Sequence, residues 1–514
     1  MPLILAVLYV CLFSGLGALG LVGPDEPRYA AIARAMSDTH DWVTPRLWGT
    51  PWFEKPVLYY WAAGIAMRIF GVSEFAARSP SALAALLAVV AVAYTALRSY
   101  GVNAAWYSLL MLPTSVAMIG FSRAAGPDML FAGLLTAAMA VASEMLQKPR
   151  PGPFLRTAFG FFLGAAVLAK GPAAVILAGG ATLLWAVVSR QWRAPFRFLH
   201  PIIIFAFCAT ALPWYVLCAL RNPEFLRVFI WQHNFQRYLT PVFEHRQPFW
   251  FFGPVLLAAI LPWILLLIPA LAHAIRSVKS HTAAESPSAF FVCWSIFPVV
   301  FFSLSESKLP GYILPAIPPL LLLLARWVSI SIDGKTQAAL RVLGWTGISF
   351  LPLAIPLSLQ IAWHSMDGFP YEYLLLGVAA FGFGLLTVIF TLKKRPREAF
   401  VFIVLLIACS IEIANFEILP GLDPVISSRP LARELLKVNP ADDDIGTYDI
   451  PRAWRYGLDF YLDRDLPEWT TASKGPKWVA GNIAVDPQFE NRYRVQLDEI
   501  AMANKFRVCL YQKK

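Results

Sequence analysis

Apolar runs of roughly twenty residues recur along this chain, and about twenty helical residues are needed to cross the hydrocarbon core of a bilayer. No other feature limits the fold as strongly, because in lipid a segment must satisfy its own backbone hydrogen bonds. The runs fall at 3–21, 80–98, 103–120, 128–146, 157–170, 172–189, 200–220, 250–273, 288–304, 311–328, 343–362, 374–392 and 399–418. They predict an all-α polytopic membrane protein of about thirteen transmembrane helices. The stretch 157–189 is too long for one span, so Lys170-Gly171-Pro172 reads as a tight turn between two helices. The first run lacks a basic leading region, and Gly23-Pro24-Asp25-Glu26 is a poor cleavage site, so it reads as a retained helix.

The net charge of +11 matters less than its distribution. Arg98, then Lys148 to Arg156, Arg190 to Arg197, Arg276 and Lys279, Lys335 and Arg341, and Lys393 to Arg397 occupy alternate loops with few acids beside them. The positive-inside rule makes that side cytoplasmic. The opposite, extracytoplasmic side then receives 22–79, the Ser122-Arg123 turn before Asp128, the turn at Lys170, the loop 221–249, SESKLPGY at 305–312 and the loop 363–373. The expected chemistry lies there.

Residues 1–418 form the expected membrane domain, and 419–514 a small α/β extracytoplasmic domain, because polar sequence with alternating runs such as IGTYDI and FRVCLYQ follows the last span. No GxxxxGK[ST] or strand-borne GxGxxG occurs, which disfavours an ATP-driven transporter. The absence of an evident repeat weakly disfavours transporters built on inverted repeats. Five of the six cysteines lie in apolar runs and none forms a CxxC pair, so they read as small buried hydrophobes. Nucleic acid is not an expected partner.

The most charged loop reads GPDEPRYAAIARAMSDTHDWVTPRLWGTPWFEKPVLYYW from Gly23 to Trp61. Prolines bracket Asp25-Glu26 and fix the backbone there. Such carboxylates are either solvated surface charges or groups that orient an acceptor, take its proton or stabilise a developing positive charge. Lys55, in Glu54-Lys55-Pro56, is either a snorkelling lysine or a phosphate ligand. Tyr59 and its aromatic neighbours suit an interfacial belt or a sugar-stacking surface. Asp128 needs a cap, a partner or water at the start of its span, and Arg123 is the nearby candidate partner. Arg227, His233, Asn234, Arg237, His245 and Arg246 are interleaved with aromatics, as in an interfacial helix or a ring of cations around an anionic lipid. Lys170, Lys308 and Tyr312 are expected to reach the same leaflet. Glu54 and His364 are the weak candidates for a shared divalent ion.

Taken in order, DEPRYAAIARAM…WFEKPVLYYW, GVSEFAARSPSAL, PDML, AKGPAA, RNPEFLRVFIWQHNFQRYLT, EHRQPFW and SESKLPGYILPAIPP resemble the bacterial aminoarabinose transferases that modify lipid A. More broadly they resemble the polyprenyl-phosphate-dependent GT-C glycosyltransferases, protein mannosyltransferases among them. The resemblance covers most of residues 20–325. It implies an inverting enzyme of the bacterial inner membrane with a periplasm-facing site. The donor would be an undecaprenyl-phosphate sugar and the acceptor lipid A. Protein or polysaccharide O-glycosylation is the alternative, and lipid-linked sugar transport a more distant one. By the same resemblance Asp25, Glu26, Glu54 and Asp128 are the expected catalytic acids. Lys55, His233, Arg237 and Arg246 by that resemblance, and Tyr59, Lys170, Lys308 and Tyr312 by their place in the extracytoplasmic turns, are the expected donor- and phosphate-binding set. No cofactor is required, although a divalent ion is admissible.

Overall fold

The computed structural model describes residues 1–240, 246–280, 286–353, 371–438, 445–469, 476–482, 493–497 and 508–513. Among them, seven helices are long and apolar enough to cross a membrane: Glu74–Tyr100, Pro127–Gln147, Pro153–Lys170, Pro201–Arg221, Pro310–Asp333, Leu374–Leu392 and Pro396–Ile426. Two broken pairs bring the number to nine if each makes one span. Val102–Met111 and Val116–Ser122 meet at 59°, and Phe252–Ala259 and Trp263–Val278 at 107°. Shorter apolar helices occupy Pro2–Leu12, Ala173–Val188 and Pro287–Ser303. The expected run 343–362 extends beyond the described residues. The polytopic helical architecture is thus present, with several expected spans bent or short.

The chain divides into two compact units. The first comprises Met1–Ser14, Phe53–Tyr59 and Pro80–Ile413. Its helices approach closely where side chains are small, as membrane helices do in the absence of a hydrophobic drive between them. A Cβ on Gly160 would stand 2.4 Å from the Ile203 carbonyl oxygen, so the contact between Pro153–Lys170 and Pro201–Arg221 admits no side chain there. The Lys170-Gly171-Pro172 turn does separate two helices.

The second unit comprises Gly15–Trp52, Tyr60–Ser79 and Ala414–Lys514. Its helix Asp25–Thr39 begins at the proline-bracketed acids and ends on His40 at φ 60°. A two-stranded hairpin, β1 (Arg46–Leu47) and β2 (Thr50–Pro51), follows. Later come helices Arg429–Val438 and Arg452–Leu462 and strands β3 (Ile445–Tyr448), β4 (Trp478–Asn482), β5 (Tyr493–Leu497) and β6 (Val508–Lys513). The sheet order is β3-β4-β6-β5. The β3–β4 pair is parallel and the others are antiparallel. Leu431, Leu435, Ile445, Trp454, Leu458 and Trp478 form its apolar core.

Candidate active site

The first unit gathers its charges around one cavity of about 350 Å3. Asp128 lies in the first turn of Pro127–Gln147, after Gly126 and Pro127. Lys170 lies in the last turn of Pro153–Lys170. Each charge occupies the helix end whose dipole favours its sign. The two side chains pair with one another. The Lys170 ammonium also faces the rings of Tyr312, at 4.9 Å from the centroid, and Phe131, at 5.6 Å. The expected pairing of Asp128 with Arg123 is not made. Arg123 instead donates to the carbonyl oxygens of Val10, Cys11 and Ser14, where the first helix ends and its last carbonyls need donors.

Glu54 stands between two cations on the same cavity. Its Oε1 lies 3.4 Å from the Lys55 ammonium and 3.6 Å from the Arg237 guanidinium. The Glu54, Lys55, Lys170 and Arg237 side chains are only 12–16% exposed. Charges so withdrawn from water need partners, and these have carboxylates beside them. Among the described residues the cavity wall presents three cations, Lys55, Lys170 and Arg237, and one carboxylate, Glu54, while Asp128 pairs with Lys170 from outside that wall. The rest of its wall is largely apolar and aromatic, including Ile176, Phe229, Phe235, Phe301 and Phe302.

His233 and Arg237 reach the cavity from an unusual element. Arg227–Gln236 is a π-helix, and Arg237–Leu239 continues it as α-helix. Wide turns of this kind often occur at functional sites. Phe225 and Phe229 stack at 5.7 Å and pack against Tyr215, which fixes one face of the segment. Gly171 lies directly opposite, at φ +98°. A Cβ there would meet the Phe229 ring at 2.8 Å. Tyr238 donates to the Phe301 carbonyl at 2.8 Å, and burial raises its phenol pKa.

Three residues expected in this set lie outside the cavity wall. Tyr59 is 1% exposed and packs into the interior. The buried Lys308 donates to the Ser305 carbonyl at 2.5 Å, and thereby shapes the turn that contributes Ser305 and Ser307 to the wall. Arg246 is exposed beside Glu306 at 3.9 Å. His245 and His364 lie outside the described residues. Among the described residues no group of three or more His, Cys, Asp and Glu side chains is arranged to hold a metal ion.

The second unit holds the Asp25-Glu26 pair, and its two acids have different surroundings. Asp25 is 62% exposed and pairs with the buried Arg28 at 2.5 Å. Arg28 lies over the Trp52 ring at 5.2 Å. Glu26 is buried and held by Arg78. Arg78 also donates to the carbonyl oxygens of Leu16, Leu19 and Gly20. Arg429 does the same for Gly17 and Ala18, and pairs with Asp423 and Glu74. The Gly20 amide donates to Asp423 and the Leu21 amide to Tyr461. This irregular backbone is satisfied by two guanidinium forks, whose planar donors suit several oxygens at once. Sequence reasoning assigned no role to Arg78, Glu74, Asp423, Arg429 or Tyr461. Glu74 and Arg78 lie within the GVSEFAARSPSAL motif, which marked the stretch without giving them partners, and no local pattern pairs them with Asp423, Arg429 or Tyr461 so far away.

Residues 54–214 match the family described as dolichyl-phosphate-mannose-protein mannosyltransferase. The chain is 33% identical over 324 residues to the undecaprenyl phosphate-α-4-amino-4-deoxy-L-arabinose arabinosyl transferase of Edwardsiella ictaluri, covering 62% of this chain and 58% of that protein. It is 35% identical over 314 residues to the corresponding transferase 2 of Sodalis glossinidius, covering 60% and 55%. The match therefore spans somewhat over half the length of these curated relatives. The crystal structure of ArnT from Cupriavidus metallidurans bound to undecaprenyl phosphate superposes with a TM-score of 0.79 at 22% identity, over 99% of this chain and 97% of that one. The archaeal oligosaccharyltransferase AglB from Archaeoglobus fulgidus aligns with a TM-score of 0.51 at 12% identity, over 93% and 69%. The fold is that of the ArnT structures, and the family match and the curated relatives agree with the resemblance carried by the motifs.

Proposed function

We propose that this chain is an inverting glycosyltransferase that moves aminoarabinose, or a closely related sugar, from an undecaprenyl-phosphate donor to lipid A at the periplasmic face of the inner membrane. The observation that carries the proposal is the cavity with Lys55, Lys170 and Arg237 set into an apolar wall. That combination suits a phosphate on a polyprenyl chain. The names of the relatives and the undecaprenyl phosphate in the ArnT structure point to the same ligand.

The charge balance of the reaction explains how such a cavity assists it. The donor is a phosphodiester with one negative charge. As the bond from the anomeric carbon to the phosphate oxygen breaks, the leaving phosphate gains charge. A new bond forms from that carbon to an oxygen of the acceptor, on the opposite face. Cations beside the phosphate therefore interact more strongly with the transition state than with the donor, which is the condition for raising the rate. Lys55 and Arg237 hold the phosphate in this proposal. Lys170, shared with Asp128, neutralises its growing charge, while His233 and Tyr312 line its approach. Glu54 keeps Lys55 and Arg237 at one depth.

Asp25 is assigned to the acceptor side, with Glu26 fixing its helix. A lipid A phosphate is already ionised and gives up no proton, so Asp25 then orients the acceptor or stabilises positive charge on the sugar ring. A hydroxyl acceptor needs a base, and Asp25 takes that role. The donor supplies its own leaving group, and no step is assigned to a cofactor or metal. The proposal keeps residues 1–418 as the membrane catalytic part of about thirteen spans and 419–514 as a small α/β extracytoplasmic part. It also keeps membrane lipids as the surroundings of the reaction.

The test is mass spectrometry of envelope lipids from cells with and without the protein. Loss of a pentosamine-sized addition on lipid A supports the proposal. Unchanged lipid A with altered protein or polysaccharide replaces the acceptor. In purified protein, Lys55→Ala and Arg237→Ala should each lower kcat by about 10²–10³-fold, as for loss of one transition-state donor. Near-normal turnover in both would remove the cavity from the mechanism.

A further inference from the structure

A second concavity lies in the first unit, on helices that carry none of the site residues. Helices Gln337–Phe350 and Tyr371–Leu392 pack tightly through Gly347, where a Cβ would stand 2.9 Å from Thr387. Toward the end that carries the basic loops the two helices line a groove of about 330 Å3, with Gly344 and Thr391 in its floor, where a Gly344 Cβ would stand 3.3 Å from Thr391. Gln337, Arg341, Trp345 and Ile348 succeed one another along one stripe of the first helix. The order runs from amide to cation to exposed indole to exposed aliphatic. The opposite wall runs from cation to aliphatic, with Lys394 at the rim and Leu392 and Val388 below.

We propose that this groove binds one anionic glycerophospholipid, with the phosphate held by Arg341 and Lys394, the glycerol region beside Trp345, and an acyl chain along Ile348 and Val388. Three observations support a lipid as occupant. First, the gradient of side-chain character matches that of a phospholipid from headgroup to chain. Indole rings are favoured at the depth where the two meet. Second, no carboxylate among the described residues pairs with Arg341 or Lys394, whereas the nearby Arg395 and Arg397 pair with Glu398 and Asp333. Third, Lys394 adopts φ 59°, a conformation in which glycine is less strained. That conformation closes the helix, with the Lys394 amide donating to Thr391 and the Arg395 amide to Phe390. Arg190 and Lys335 close other helices, also with positive φ, and at Lys394 it sets the cationic side chain at the groove's rim. Basic pockets between helices on this side of a membrane are suited to lipid phosphates.

The test is native mass spectrometry of the full chain in mild detergent, titrated with phosphatidylglycerol and, separately, phosphatidylcholine. Wild type should retain phosphatidylglycerol at least about fivefold better. Arg341→Gln with Lys394→Gln should abolish that preference and leave phosphatidylcholine retention unchanged. The control pair Lys335→Gln with Arg395→Gln, outside the groove, should keep it. Equal retention of the two lipids by wild type overturns the proposal. So does an unchanged preference in the groove variant, or an equal loss in the control, which would assign the preference to the basic surface at large. Displacement of the lipid by millimolar inorganic phosphate would also overturn it, by making the groove a simple anion site.

Discussion

Arg78 grips the Glu26 carboxylate with two nitrogens, Nε at 3.2 Å from one oxygen and a terminal nitrogen at 2.7 Å from the other. Both side chains are almost fully buried. Removing one partner of such a pair strands the other charge and typically costs about 3–5 kcal/mol. Glu26→Gln should therefore lower the melting temperature markedly. Arg78→Gln should lower it further, because three backbone carbonyls also lose their donor. The double variant should be less unstable than the sum of the two. Additive losses in a thermal melt would show that the pair is not coupled.

The Asp128–Lys170 pair leads to a different expectation. In Asp128→Asn the lysine loses its competing anion within a largely apolar cavity. On the proposed function, undecaprenyl phosphate should then bind about tenfold more tightly, while kcat falls because the product leaves more slowly. Ligand binding followed by tryptophan fluorescence, together with steady-state rates, separates the two effects. Weaker binding of undecaprenyl phosphate would contradict the assignment of Lys170 to the phosphate.

Gly171 supplies a backbone test. Its positive φ and the nearby Phe229 ring leave no room for a side chain. Gly171→Ala should destabilise by about 1–3 kcal/mol from the backbone conformation alone, φ 98° and ψ −159°, which is open essentially to glycine, and more from the contact with the ring. It should also displace Lys170, lowering kcat with little change in expression. Wild-type rates and melting would mean that this turn adapts freely.

Asp459 makes the second unit sensitive to pH. It is fully buried in helix Arg452–Leu462 and accepts a hydrogen bond from the Leu466 amide at 3.0 Å. Burial pushes its carboxyl up to about 7, against about 3.9 in an unfolded chain. The folded state therefore holds a proton that the unfolded state gives up between these values. Its stabilising effect is complete below about pH 4 and is lost as the pH rises through 7. Hydrogen exchange of residues 452–462, corrected for intrinsic rates, should show greater protection at pH 5 than at pH 8. Asp459→Asn should flatten that difference, and an unchanged difference would place its origin elsewhere.

The sequence carries local features of this molecule well and distant ones poorly. Run length and charge alternation locate the apolar helices, because those signals lie within each segment. They do not register the 107° break between Phe252–Ala259 and Trp263–Val278, since a bent helix pair is as apolar as a straight one. The order of motifs identified Glu54, Lys55, Lys170 and Arg237 as relevant, and the structure brings them to one cavity. Proximity in sequence suggested Arg123 as the partner of Asp128. In the fold, unsatisfied helix-end carbonyls take Arg123, and Lys170, 42 positions away, takes Asp128. Glu26 read as a possible catalytic acid because nothing local reveals Arg78, 52 positions away.

The backbone just after the first helix is held by residues made very late. The Gly20 amide bonds to Asp423, 403 positions further along, and Arg429 bonds to the carbonyls of Gly17 and Ala18. During synthesis, the segment leading into Asp25 therefore emerges long before its clasp exists. Insertion of the helices can proceed in order, but the Asp25-bearing helix cannot reach its final footing until the ribosome has nearly finished. A chain that stalls midway thus lacks the partners that fix the backbone leading into Asp25.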